Sequence, residues 1–167
     1  MNYLFWHKEH LSDRDIIDLH QRIDADLILR KTLWYDGPPE TAGDFLRRVE
    51  NWWLVKVTTA DDHTVGVFWL NGYQGRTAQI HFAIFEEFRP WSVEIGKATL
   101  QWLADLDWLH SVYGITPATH RHVFPFIEAI GFKIMGSVPG ACWVDRKQKH
   151  IAGIISAYDF GGRNENF

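Results

Sequence analysis

The chain has 167 residues, 46% hydrophobic and 23% charged, a balance that fits one domain with a sizeable core. A formal net charge of -4 argues against a nucleic-acid grip built on counterion release and leaves no polybasic membrane anchor. One cysteine, Cys142, excludes an internal disulfide and points to a reducing compartment.

Cys142 lies in an apolar run and reads as a small core residue rather than a nucleophile. Nine Trp and eleven Phe predict a large aromatic core, with an exposed aromatic docking patch as the alternative. The first eight residues carry charge too early, and too short an apolar run, for a secretory signal. No apolar stretch approaches a membrane span, so the expectation is a soluble, cytoplasmic protein.

In chain order, Tyr3 to His7 reads as a short strand. Ser12-Asp13-Arg14-Asp15 is a capping-box pattern opening a helix, with Ile16, Leu19, Ile23 and Leu27 at helical spacing. Gly37-Pro38-Pro39 breaks the chain, and Thr41-Ala42-Gly43-Asp44 opens a second helix with Phe45, Leu46 and Val49 on its apolar face. Trp52 to Thr59, Thr64 to Leu70 and Thr77 to Phe85 form an antiparallel meander. Asn71-Gly72 is the strong signal for its second turn, and Gln74-Gly75 competes.

A helix over Ser92 to Leu106 follows, its face lined by Ile95, Ala98, Trp102 and Leu106. Next come a strand, His110 to Thr116, a polar loop to His122, and a short helix with Pro125 in its first turn. Gly131 to Asp145 is a strand interrupted at Pro139-Gly140, and Ile151 to Phe160 is the last strand. Residues 1–160 form one domain, and 161–167 a polar tail. The fold class is α+β, with helices packed on a mostly antiparallel sheet.

Familiar catalytic motifs are missing. There is no GxSxG elbow and no GxxxxGK[ST] loop. His120 and His122 are too close for one helical face and lack an HExxH pattern, so no metal is expected.

The order from Ala78 to Phe132 resembles the acyl-CoA-binding core of the GNAT N-acetyltransferase superfamily. Strand, turn, amphipathic helix, strand, polar loop and short helix end in Ala129-Ile130-Gly131-Phe132, where that family has its own Gly-Phe. The resemblance implies a central sheet with splayed strands flanked by helices, acetyl-CoA as co-substrate, and direct attack of an amine on the thioester. It places cofactor contacts at Ile84, Arg89, Val93, Glu94, Ile95, Gly96, Lys97 and Ala98, where a helix start offers N–H donors to a pyrophosphate.

The match has gaps. The family pattern there is Arg or Gln, two residues, Gly, one residue, Gly or Ala. Gly96 fills the last position, but Trp91 and Glu94 replace the basic residue and the first glycine. A carboxylate about 4 Å from a phosphate charge costs about 1 kcal/mol in water and about 4 at an intermediate dielectric. Glu94 could instead serve as a substitute anion, stabilising the helix start by roughly 0.3–1 kcal/mol.

The family's common Asn falls on His120, and its common Tyr, which protonates the leaving thiolate, falls on Ile127, which cannot. His81, on the strand where a base often lies, is the first candidate base and His120 the second. Tyr113 could replace the lost acid. The plainer alternatives are hydrogen-bonded structural histidines and a packed sheet tyrosine.

Trp91 to Ala141 is also similar to GNAT-like proteins of tailed phages and prophages, through Gly114-Ile115-Thr116-Pro117 and Gly136-Ser137-Val138-Pro139-Gly140. This implies a second reading, a GNAT fold retained as a binding or particle-assembly module without catalysis. Expected partners are a small-molecule or protein amine, or a phage or host protein if the chain is virion-associated. Exposed Trp would favour a homodimer.

Overall fold

The computed structural model describes residues 2–34, 37–144 and 148–161. Strands β1 (Tyr3–His7), β2 (Trp53–Thr59), β3 (Thr64–Gln74), β4 (Thr77–Ile84), β5 (Ser111–Pro117), β6 (Lys133–Val144) and β7 (Lys149–Asp159) form a seven-stranded sheet in the order β1-β2-β3-β4-β5-β7-β6. The β1–β2, β2–β3, β5–β7 and β6–β7 pairs are antiparallel and β4–β5 is parallel. Helices are α1 (Asp13–Ala25), α2 (Leu27–Thr32), α3 (Ala42–Glu50), α4 (Ser92–Asp105) and α5 (Phe124–Ala129). The α+β class and the mostly antiparallel sheet are as expected. The chain divides into two compact units, Met1–Asn71 with His81–Ser92, and Gly72–Ile80 with Val93–Phe167.

The first unit shows how local sequence fixes its helices. Both capping boxes form: Ser12 with Asp15 opens α1, and Thr41 with Asp44 opens α3. Each satisfies backbone donors that a helix start leaves orphaned. Ile16, Leu19 and Ile23 of α1 and Phe45 and Val49 of α3 are buried in one core cluster with Leu54, Val67, Trp69 and Phe85. Leu27 is 67% exposed and does not continue the α1 stripe. Asp26 ends α1 in an extended conformation and caps α2, its Oδ1 accepting from Ile28 N–H at 3.0 Å and Leu29 N–H at 3.1 Å.

Aromatic side chains fill this core. Trp52 stacks on Trp69 at 4.8 Å and 7°, Trp34 stacks on Trp69 at 5.9 Å, and His81 stacks on Trp69 at 5.0 Å and 10°. Each such pair contributes about 0.5–1.5 kcal/mol beyond its buried area. The aromatic richness therefore builds a core, while Trp6 and Trp91 stay 40% and 42% exposed.

In the second unit, α4 buries Ile95, Gly96, Thr99, Leu100 and Leu103. The buried face is turned from the expected one, and Leu106 is 39% exposed beyond the helix end. The expected turn at Asn71-Gly72 is also displaced: β3 continues to Gln74 and the chain reverses at Gly75-Arg76. Both Gly72 and Gly75 have positive φ, +56° and +60°, so turn chemistry alone does not separate them. What needs glycine at 72 is a close approach: a Cβ there would lie 3.2 Å from Tyr113 Oη.

The short helix opens with a 3-10 turn at Arg121–Val123 and carries Pro125 in its first turn, as expected. β6 is continuous through Pro139-Gly140, with register shifts between Ile134 and Gly136 and between Val138 and Cys142. Proline is tolerated there because β6 is an edge strand. Asp145, the expected end of that strand, and most of the polar tail lie outside the described residues.

Candidate functional site

His81 comes from β4 and is 8% exposed. Its Nε2 lies 3.1 Å from Asn71 Oδ1. With that oxygen as acceptor, Nε2 carries the proton and the neutral ring keeps Nδ1 as its basic atom. Burial pushes the imidazole down to about 4, because charging the ring in this apolar setting is costly. The ring is thus neutral at physiological pH. Ile84, on the same strand, is 9% exposed.

Downstream of β4, a 3-10 turn spans Glu86–Trp91 and runs directly into α4. Two arginine–carboxylate pairs of opposite polarity hold this turn within the first unit. Arg22 pairs with Glu87, its guanidinium 3.8 Å from the centroid of Phe85. Arg89 pairs with both carboxylate oxygens of Asp26, whose side chain is 8% exposed. Asp26 thereby serves α2 and Arg89 together. Arg89, the cation expected near the phosphates, is engaged by a carboxylate.

The α4 start offers donors, but fewer than a bare helix end. Ser92 N–H already donates to Arg89 O. A phosphate there would rely on N–H groups from Val93 onward. Glu94 and Lys97 are exposed, Val93 and Ala98 half-buried, and Ile95 buried. Glu94 is the acidic residue of the first turn of α4, a position where a negative charge complements the helix dipole. Gly96 has a packing reason of its own: a Cβ would lie 2.8 Å from Ile130 Cγ2 and 3.2 Å from the Phe126 ring of α5.

Tyr113 sits on β5, half-buried, opposite Gln79 of β4 and Ala157 of β7. His120 precedes the Arg121–Val123 turn, its N–H donating to Pro117 O at 2.8 Å. Its ring lies 5.9 Å from that of His122. Burial first, and then the neighbouring His122, lower its pKa. Ile127 is 8% exposed, so the position of the family tyrosine is packed. Cys142 is fully buried and its thiol is pushed up to about 11, which fits a core residue.

Sequence reasoning found His81 but missed its setting. The Asn71-Gly72 pattern predicts a turn, whereas Asn71 lies on β3, two residues from Trp69 and so on the same face. The Asp26–Arg89 pair joins residues distant in sequence, and no local pattern announces it. The indole Nε1 of Trp69 is buried without a partner.

No protein-family model matches the chain, and no curated protein does. Solved structures do. A spermidine N-acetyltransferase from Vibrio cholerae, in complex with CoA and spermine, is similar with TM-score 0.77 at 14% identity, over 95% of this chain and 96% of that one. A chimeric form of the Vibrio cholerae enzyme reaches 0.78 at 13% identity, over 96% and 97%. A protein assigned as a phosphinothricin N-acetyltransferase reaches 0.70 at 17%, over 95% and 99%. The fold of this chain is that of the GNAT N-acetyltransferases.

Proposed function

We propose that the chain is an acyl-CoA-dependent N-acyltransferase. The observation that carries this reading is the fold, which matches over nearly the whole chain an enzyme solved with CoA. The reaction needs no covalent enzyme intermediate. The amine nitrogen attacks the thioester carbonyl carbon, the C–S bond breaks, the amine gives up a proton to a base, and the thiolate takes one.

In this reading the backbone from Val93 to Ala98 faces the pyrophosphate and Ile84 flanks the pantetheine arm. His81 is the first base and His120 the second. Because His81 is neutral down to about pH 4, it can accept a proton from the attacking nitrogen. It is too weak a base to strip an alkylammonium beforehand, so the amine must arrive neutral. Tyr113 stands in as the acid in place of Ile127. The amine itself is unassigned.

Isothermal titration of acetyl-CoA into the purified protein tests the reading. Micromolar binding supports it and directs an amine screen with His81→Ala and His120→Ala. No binding at millimolar ligand sinks it. A second reading, a GNAT fold of the phage and prophage kind used for binding or particle assembly, is favoured by one observation: Arg89, the arginine expected among the cofactor contacts, is paired with Asp26. It predicts no CoA affinity.

A further inference from the structure

Two residues of β3 hold the His81 ring, and they do different things. Trp69 fixes its plane: the imidazole stacks on the indole at 5.0 Å and 10°, and Trp52 backs that indole at 4.8 Å and 7°. Asn71 fixes the ring within that plane, because its Oδ1 lies 3.1 Å from Nε2. An amide oxygen only accepts, so the nitrogen facing it must carry the proton. All of these residues belong to the first unit.

Packing alone does not call for this polar pair. Trp69 lies in a core of Leu54, Val67 and Phe85, and an apolar side chain at position 81 would complete it without the cost of burying an imidazole. The chemistry at position 71 is also particular. A carboxylate there would orient the ring equally well, but its charge would stabilise the imidazolium. An amide orients without charge. The ring is held in one tautomer and stays neutral, the state in which a base waits for its proton.

We propose that Asn71 is a positioning residue for acyl transfer: its side-chain oxygen keeps the proton of His81 on Nε2 and so makes Nδ1 the atom that takes the proton of the attacking amine. This rests on the reading of the chain as an N-acyltransferase with His81 as its base. In the step, the amine nitrogen bonds to the thioester carbonyl carbon and the C–S bond breaks. The proton leaves the nitrogen for Nδ1, and the Nε2–H stays on the Asn71 oxygen.

Imidazole nitrogen NMR of the full chain at about pH 7 reads the tautomer directly. His81 is expected as the Nε2–H form. The Nδ1–H form overturns the proposal, since the amide would then donate to the ring. Kinetics use acetyl-CoA with hydroxylamine, an acceptor small enough to reach the thioester in any acceptor site. Asn71→Leu is expected to lower kcat by about 10- to 100-fold, part of what a general base contributes, with KM for acetyl-CoA little changed. Asn71→Asp keeps an accepting oxygen and is expected to restore most of the rate at about pH 8. Its charge raises the His81 pKa, so the ratio of its rate to the wild-type rate falls towards about pH 5. A wild-type kcat in Asn71→Leu overturns the proposal, and so does an Asn71→Asp no better than Asn71→Leu. Should Asn71→Leu fail to fold, the wild-type tautomer and the Asn71→Asp ratio decide. No transfer by the wild type removes the base and its positioning residue together, while the acetyl-CoA titration still decides the cofactor reading by itself.

Discussion

His81 brings chemistry and packing onto one residue. Its stacking on Trp69 and its bond to Asn71 are what a structural histidine has, and they also fix the tautomer a base would need. Histidine NMR should find this ring titrating near pH 4; a midpoint near 6.5 would contradict its burial. If His81 is the base, acyl transfer will show no inflection from its ionisation between pH 5 and 8, and any rise will follow the acceptor amine. Gly96 gives a second residue-scale expectation. Gly96→Ala drives a methyl into Ile130 and Phe126 and should destabilise by about 1–3 kcal/mol in denaturant titrations. A neutral result would mean that α5 yields easily. His81 was legible as a candidate because it lies on the strand where the GNAT resemblance places a base, but the partners that set its basicity belong to another strand.

At the scale of elements, the helix starts were the most legible part. Ser12 and Thr41 cap where the S/T-x-x-D pattern places them, because capping uses only residues three apart. Ser12→Ala should cost about 1 kcal/mol in thermal or chemical unfolding. The segment from β4 to α4 was read less well, since its structure depends on distant partners. Asp26 holds Arg89 and caps α2 at once. Asp26→Asn should therefore lower stability by roughly 3 kcal/mol, as expected for removing one partner of a largely buried pair. If acetyl-CoA binds, Glu94→Gly reports on the α4 start. Tighter binding by calorimetry would show that the carboxylate repels phosphate, and unchanged affinity would show that it is screened in solvent.

Over the whole molecule, acid should be destabilising in a defined window. His7, His20, His81 and His120 all have pKa values lowered below 6.5, chiefly by burial. The unfolded chain then binds more protons than the folded one as pH falls below 6.5, so stability is lost on acidification. His81 alone accounts for a loss on the order of 3 kcal/mol by the time pH reaches about 4. At the alkaline end, the raised Cys142 thiol acts in the opposite sense, and stability falls as pH rises above 9. Thermal melts should plateau between these limits, and His81→Gln should flatten the acid limb. An acid limb identical in that variant would remove His81 from the account.

The sequence by itself determined the strand order along the chain, the capping boxes, the aromatic core and the α+β class, because periodicity, caps and breakers act within a few residues along the chain; it did not separate α2 from α1. The tertiary structure decided the rest. It placed the second hairpin turn at Gly75-Arg76 and brought Tyr113 against the Cβ position of Gly72. It engaged Arg89 with Asp26, set Asn71 and Trp69 around His81, and left β6 bare on the edge of its ladder. Each of these joins residues far apart in sequence, and their meeting depends on how strands and helices pack rather than on any local pattern.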